Sequence, residues 1–270
     1  MLRGGIDVNK IPKVIHYCWF GKGEKPKLAK KCIKSWKKYL PDYEIIEWNE
    51  ENFDINSNQY VKEAYESKKY AFVSDYVRLY ALCNYGGIYM DTDVEVIKSL
   101  DEFLVHDAFS GFESLQDAMT GIMGCKKNFN LFKEFLDYYT DRSFIKENEE
   151  LDTTTNVRIM NNILNKCGLI SNNELQTVNG LTIYPKTYFC PLSFNSIESE
   201  FSNNTYTIHH FSGSWMTKEE KKVMHNMKKY SKRKKFLCKF LSERNAYIIL
   251  DIKWILRGKV EKLFCKEVKS

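Results

Sequence analysis

The sequence predicts an α/β fold in which helices cover a mostly parallel sheet. Short apolar runs that stop at turn residues, longer stretches with helical spacing, and the regular alternation of the two between residues 13 and 97 predict it. With 270 residues and 43% hydrophobic content, the chain can bury a sizeable core.

"KVIHYCWFG" (13–21) is an apolar run ending in glycine, which reads as a buried strand closing at a turn. "PKLAKKCIKSWKKYLP" (26–41) follows with Leu28, Cys32, Ile33, Trp36 and Leu40 on one helical face. "YEIIEWN" (43–49) is a second strand. The next stretch, "YVKEAYESKKYAFVSDYVRLYALCNYGG", is helical in pattern, with Ser74 or Asp75 expected to cap its last piece and Gly86 to close it. "GIYMDTDVEVI" is the third strand. Parallel sheets of this kind bind ligands beyond the carboxyl ends of their strands, so Trp19 and Asp91 are expected at one ligand edge. The Asn/Thr/Glu-rich run at 145–157 reads as an exposed loop.

Charge is unevenly distributed. Residues 216–270 carry 17 Lys and Arg against 6 Asp and Glu, while the rest of the chain is mildly acidic. No nucleic-acid recognition motif accompanies the basic tail, so no nucleic-acid partner is expected. The eight cysteines never lie closer than fourteen positions, which excludes a CxxC zinc knuckle and predicts reduced thiols in a core. The opening segment has no apolar run and no small-residue cleavage site, and nowhere do eighteen apolar residues follow one another. The expectation is a cytoplasmic protein, neither secreted nor membrane-spanning.

The third strand raises a question of energy. Alternation would put Tyr89, Asp91, Asp93 and Glu95 on one face, with neighbouring acids roughly 6–7 Å apart. At an effective dielectric of about 20 each such pair repels by about 2 kcal/mol. Solvent on a wet face would relieve it; so would a divalent cation such as Mn²⁺ or Mg²⁺, bound through one or two carboxylates with water and phosphate in its other positions. A haloacid-type phosphatase motif fits less well, because Glu95 stands where Thr or Val is wanted, and the glycine and closing glutamate of a calcium loop are missing.

Together, "IHYCWFG", "YAFVSDYVRLYALCNYGGIYMDTDV" and "HHFSGSW" resemble the DxD glycosyltransferases that include yeast initiating mannosyltransferases, bacterial capsule transferases and the glucosylating domains of clostridial toxins. The resemblance covers residues 11–115 closely and 180–217 more loosely. The charge pattern leaves 218–270 as a basic helical tail; the resemblance implies a GT-A fold over residues 1–217, a nucleotide-sugar donor, a divalent metal and retention of anomeric configuration. It implies that Trp19 stacks on the nucleotide base, that Asp75 and Arg78 reach the donor sugar and phosphate, and that Tyr89 touches the same donor. Asp91 is implied at the sugar or ribose and, through water, at the metal; Asp93 is implied as a direct ligand. Ser214 and Trp215 would close over the phosphates.

In "YTIHHFSGSW" (206–215), alternation puts His209 and His210 on opposite faces, so one of the two is expected to point at the cation. The His-x-x-Gly run from His210 to Gly213 resembles the ligand motif of related GT-A enzymes, and that resemblance favours His210. Segments 120–132 and 153–162 are expected to shape the acceptor side.

The reaction expected is transfer of a hexose, from UDP-hexose by preference, to a saccharide acceptor in bacterial surface polysaccharide of capsule or O-antigen type. The alternative is an effector that glycosylates a protein side chain; a decayed sugar-binding module is disfavoured because the charged positions are intact. "YSKRKKFLCKFLSERNAYIILDIKWIL" (230–256) gathers apolar residues near one helical face among basic ones, as an interfacial helix on anionic lipid would, where a lipid-linked acceptor waits. Packing of that helix on the catalytic domain is the competing reading.

Overall fold

The computed structural model describes residues 10–119, 121–193, 199–213, 218–242 and 245. Strand β1 (Val14–Cys18), helix α1 (Lys27–Tyr39) and strand β2 (Glu44–Trp48) lie where the sequence pattern predicts them. The buried positions of α1 are Ala29, Cys32 and Trp36, as its apolar spacing requires. Two helices follow, α2 (Gln59–Glu66) and α3 (Tyr70–Tyr85), then β3 (Gly87–Met90) and β4 (Val94–Val96). Beyond them come β5 (Ala108–Gly111), β6 (Ile122–Cys125), α4 (Asn130–Asp137), α5 (Asn156–Lys166), β7 (Gln176–Val178), β8 (Leu181–Tyr184), α6 (Lys186–Phe189), β9 (Thr207–His209) and α7 (Lys218–Leu237).

Seven strands form one sheet in the order β2-β1-β3-β6-β5-β8-β7. The α/β class is as expected, but the sheet is mixed rather than mostly parallel. β1 runs parallel to β2 and β3, and β5 to β8, whereas β6 is antiparallel to both neighbours and β7 to β8. One apolar cluster, with Tyr89, Met123, Ala108 and Val77, packs α2, α3, α4 and α5 against the sheet. A second, with Ile88, Met90, Ile122 and Trp36, packs α1 and α6 against other side chains of the same strands. Alternate residues of β3 thus enter different clusters, which is the pleat of a doubly covered strand.

Local corrections have plain causes. The long helical stretch is broken at Ser67–Lys69, and α3 starts at Tyr70 with no side-chain cap. Ser74 and Asp75 therefore sit inside α3; the Ser74 hydroxyl donates to the Tyr70 carbonyl one turn back. Gly86 does close the helix, with φ +69° and its N–H on the Leu82 carbonyl.

The third strand is not continuous either. It leaves the main sheet after Met90, turns through Asp91–Thr92–Asp93 with the Val94 N–H on the Asp91 carbonyl, and re-forms as β4 against β9 in a separate two-stranded sheet. Within segment 120–132, residues 122–125 form the buried strand β6 of the main sheet and 130–132 begin α4. The loop reading of 145–157 holds as far as Thr155, with most of those residues exposed and an Ile145–Leu151 bridge closing them; Asn156 and Val157 instead open α5, and Asn156 is buried.

The chain divides into two compact units, one comprising Met1–Ser193 with Ser199–Trp215, the other Phe194–Glu198 with Met216–Ser270. The first holds both sheets. In the second, α7 is the described helix, and the expected amphipathic positions Tyr247, Ile248, Ile252 and Ile255 lie outside the described residues. Among the described residues, no helix is long and apolar enough to cross a membrane. The described cysteines are free; Cys18, Cys32, Cys83, Cys125 and Cys190 are buried, Cys167 is half-buried and Cys238 exposed.

Candidate active site

Parallel pairing of β1 with β3, in the register Ile15 to Ile88 and His16 to Tyr89, brings the carboxyl ends of the two strands side by side. Trp19 and Asp91, just past those ends, share the edge expected of them. Trp19 is half-buried; its indole N–H donates to the Gly23 carbonyl at 2.6 Å, and the Lys25 ammonium lies 5.6 Å from the ring centroid.

Helix α3 contributes two charged residues from inside the protein. Asp75 and Arg78 are both 7% exposed, one turn apart, with Nη2 of Arg78 3.1 Å from Asp75 Oδ1 and 3.3 Å from Asp91 Oδ1. Arg78 Nε donates to the Ser74 carbonyl, and the guanidinium lies 4.6 Å from the centroid of the Tyr89 ring. This pair is not the surface contact that its spacing alone would allow. Burial, with Asp91 adding to it, pushes the Asp75 carboxyl up to about 7 against the pull of Arg78 and the Asn156 N–H.

The Asp91–Asp93 turn aims the two carboxylates at a common point, which an uninterrupted strand would not do. Asp91 Oδ1 is held by the Tyr89 hydroxyl and Arg78, leaving Oδ2 directed toward His209 Nε2 at 4.0 Å. Asp93 Oδ2 accepts the Ser212 N–H at 2.7 Å, leaving Oδ1 3.4 Å from the same nitrogen. One ligand atom from each of Asp91, Asp93 and His209 lies within 4.8 Å of the others. Each carboxylate has one oxygen tied to the protein and one turned to the shared point. Two carboxylates and an imidazole are a donor set for Mn²⁺ or Mg²⁺ with positions left for water and phosphate, so the residues fit the expected cation.

His209, not His210, faces the acidic pair, and the expectation for His210 is corrected. Pairing of β9 with β4 sets Val94 opposite His209, so His209 lies on the buried face with Val94, Val96 and Thr207. His210 points the other way and meets Glu95 at 2.8 Å, while Glu95 also binds Lys31 at 2.7 Å. Glu95 is therefore paired with Lys31 and bonded to the His210 ring, and stands apart from the pair. Burial pushes Asp93 up, yet His209 and the Ser212 N–H outweigh it and hold the carboxyl below the usual range.

Gly121 makes this convergence sterically feasible. A Cβ there would come 2.9 Å from Asp91 Oδ2 and 3.1 Å from His209 Cε1, and its carbonyl accepts the Asp91 N–H. The sequence reading also missed Glu113, on the loop after β5. Its Oε2 lies 3.7 Å from His209 Nδ1, and burial, with the nearby acids adding, pushes its carboxyl up to about 7 despite His209. Nothing in the sequence around Glu113 marks it.

Segment 153–162 lies behind Asp75. The Asn156 N–H donates to Asp75 Oδ2, while the Asn161 side chain bonds both backbone groups of Ala118. Ser214 and Trp215 lie outside the described residues.

Residues 26–110 match the family model described as glycosyltransferase sugar-binding region containing DXD motif. The chain is 33% identical over 121 residues to Inositol phosphoceramide mannosyltransferase 3 of Schizosaccharomyces pombe, covering 43% of this chain and 34% of that protein. It is 27% identical over 154 residues to an uncharacterized glycosyltransferase of Acanthamoeba polyphaga mimivirus, covering 53% of this chain and 60% of the relative. The chain thus spans a third of one relative's length and three fifths of the other's. Among solved structures, a glycosyltransferase involved in glycosylation of the major capsid of PBCV-1 aligns over 79% of this chain and 99% of its own, at 10% identity and a TM-score of 0.44.

Proposed function

We propose that this chain, whose residues 26–110 are a DXD-type glycosyltransferase sugar-binding region, is a metal-dependent GT-A hexosyltransferase that uses a nucleotide-sugar donor and retains anomeric configuration. The observation that carries the reading is the convergence of Asp91, Asp93 and His209 on one point beside the buried Arg78.

A divalent cation held there would neutralise the charge that builds on the departing diphosphate. The other steps belong to the side chains. Trp19 offers an aromatic face for the base, its plane set by the bond to Gly23. Arg78, caged by Tyr89, Asp75 and Asp91, presents donors to the diphosphate in a site where burial strengthens each charge contact. Asp75 accepts hydrogen bonds from donor hydroxyls and holds the guanidinium in place. The acceptor hydroxyl gives its proton to the leaving phosphate as it attacks from the same face, so no separate general base is required.

The donor of preference is UDP-hexose and the acceptor a saccharide of a surface polysaccharide. One relative is named for mannose transfer to inositol phosphoceramide, so mannose donors belong in the same test. A peripheral position on an anionic, cytoplasmic membrane face draws support from the end of α7 and the turn after it, where Phe236 and Phe240 pair at 5.5 Å on the exposed surface, near Lys232, Arg233 and Lys239 in sequence.

The test is a panel of UDP- and GDP-sugars assayed for Mn²⁺-dependent donor hydrolysis, with and without excess EDTA. Hydrolysis of one donor that EDTA stops supports the reading. Full activity in EDTA, or none with any donor, sinks it.

A further inference from the structure

His209 has a second nitrogen that the cation site does not use. Its Nε2 faces Asp91 and Asp93, so ligation would require the Nε2 lone pair and place the ring proton on Nδ1. Nδ1 is buried and, among the described residues, has no hydrogen-bond partner. A buried donor in that state costs free energy unless an acceptor meets it. Oε2 of Glu113 lies 3.7 Å away, and closing to a normal hydrogen bond takes a movement of about 0.5–1 Å, within reach of a long side chain. The Cys190 thiol also borders the ring, but it donates to the Leu192 carbonyl, and sulfur is a weak acceptor.

The loop that carries Glu113 is built to hold it. A bridge pairs Phe112 with Ala118, the Glu113 N–H donates to the Asp117 carbonyl at 2.8 Å, and Ser114 bonds Asp117 through backbone and side chain. Asn161 of α5 clamps Ala118 at both backbone groups. The stacked Phe211 ring, 4.2 Å from the imidazole centroid, limits the rotation of His209 from its other side.

We propose that Glu113 is a positioning residue for His209: its carboxylate accepts the Nδ1–H, sets the tautomer and turns Nε2 toward the Asp91–Asp93 pair. A carboxylate behind a ligating histidine makes the imidazole a better donor and fixes its plane. This rests on the reading of Asp91, Asp93 and His209 as the cation site.

The experiment titrates Mn²⁺ into the full chain with saturating UDP and, separately, GDP, for the wild type, Glu113→Ala, Glu113→Gln and Cys190→Ala. Glu113→Ala is expected to lower affinity about tenfold or more, as losing such a partner does elsewhere, with Glu113→Gln recovering most of it and Cys190→Ala close to wild type. Long-range ¹H–¹⁵N spectra of the Mg²⁺-loaded protein should show one Nδ1–H tautomer of His209 in the wild type and Glu113→Gln, and a mixture in Glu113→Ala. Should Glu113→Ala fail to fold, Glu113→Met, of similar length but without an acceptor, takes its place. Wild-type affinity and an unchanged tautomer in the variant lacking the acceptor would overturn the proposal, as would a change in acceptor-substrate KM alone. If the wild type binds no Mn²⁺ with either nucleotide, the cation reading itself falls and this proposal with it.

Discussion

Oδ1 of Asp93 lies 3.4 Å from Nε2 of His209, across a two-stranded sheet whose strands come from distant parts of the chain. Asp93 is held by the Ser212 N–H on the same returning segment, so the acidic turn and the histidine strand define each other's position. Asp93→Ala and His209→Ala are each expected to reduce Mn²⁺ affinity, measured with nucleoside diphosphate present, by about 100-fold, since each would remove a direct ligand of the proposed cation site. His210→Ala and Glu95→Ala should stay within about threefold of wild type, because the two side chains bond to each other and Glu95 to Lys31, away from the Asp91–Asp93 pair. Equal losses for His210→Ala and His209→Ala would return the ligand role to His210.

Arg78→Lys should lower kcat about 100-fold with modest effect on the fold. One ammonium cannot reproduce the guanidinium's contacts with Asp75, Asp91 and the Tyr89 ring together. A steady-state rate near wild type would reduce Arg78 to a structural ion pair.

Gly121→Ala tests the close approach at the heart of the site. The added carbon would meet Asp91 Oδ2 and His209 Cε1 at distances that force the ligands apart. The expectation is weakened Mn²⁺ binding, by about tenfold, as disturbed ligand orientation produces. Circular dichroism should be unchanged; wild-type affinity in a folded variant would show that the carboxylate moves aside freely.

Trp19→Ala should weaken nucleotide binding by about 1–3 kcal/mol, the range for an aromatic face stacked on a base. Isothermal titration with UDP and GDP reads this directly. Unchanged binding would leave Trp19 with packing alone.

A pH response is expected from His16, which is fully buried and whose imidazole is pushed down to about 4 by that burial, with the Gly86 carbonyl opposing. Its Nδ1 accepts the Trp48 indole N–H at 3.1 Å and its Nε2–H donates to Gly86 O at 2.8 Å, so a second proton would set two donors face to face. The folded value lies below the ordinary 6.5. Stability from this group is therefore fully present above pH 6.5 and is lost as pH falls toward 4, by roughly 3 kcal/mol in all. Urea unfolding should show a shallower pH slope over that window for His16→Gln than for the wild type. Equal slopes would mean that the ring takes up its proton in the folded state.

Elements β1, α1 and β2 were legible in the sequence to within three residues, because each is specified by local spacing and a flanking turn residue. The chemistry of the site was partly legible too: Asp91, Asp93, Asp75 and Arg78 carry their types and intervals openly in the chain. The break between Met90 and Val94 was not, since alternation of apolar and acidic residues reads the same whether a strand continues or changes sheets. Glu113 was silent for a similar reason, an isolated acid in a loop with no interval to relate it to His209.

What the sequence by itself determined was therefore β1, α1, β2 and the inventory of charged groups on the DxD side. Tertiary structure alone decided which histidine faces them. A strand's period of two says that His209 and His210 point opposite ways, but which way is inward depends on the strand beside it. Here β4 makes the choice, by burying Val94 and Val96 and setting Val94 opposite His209.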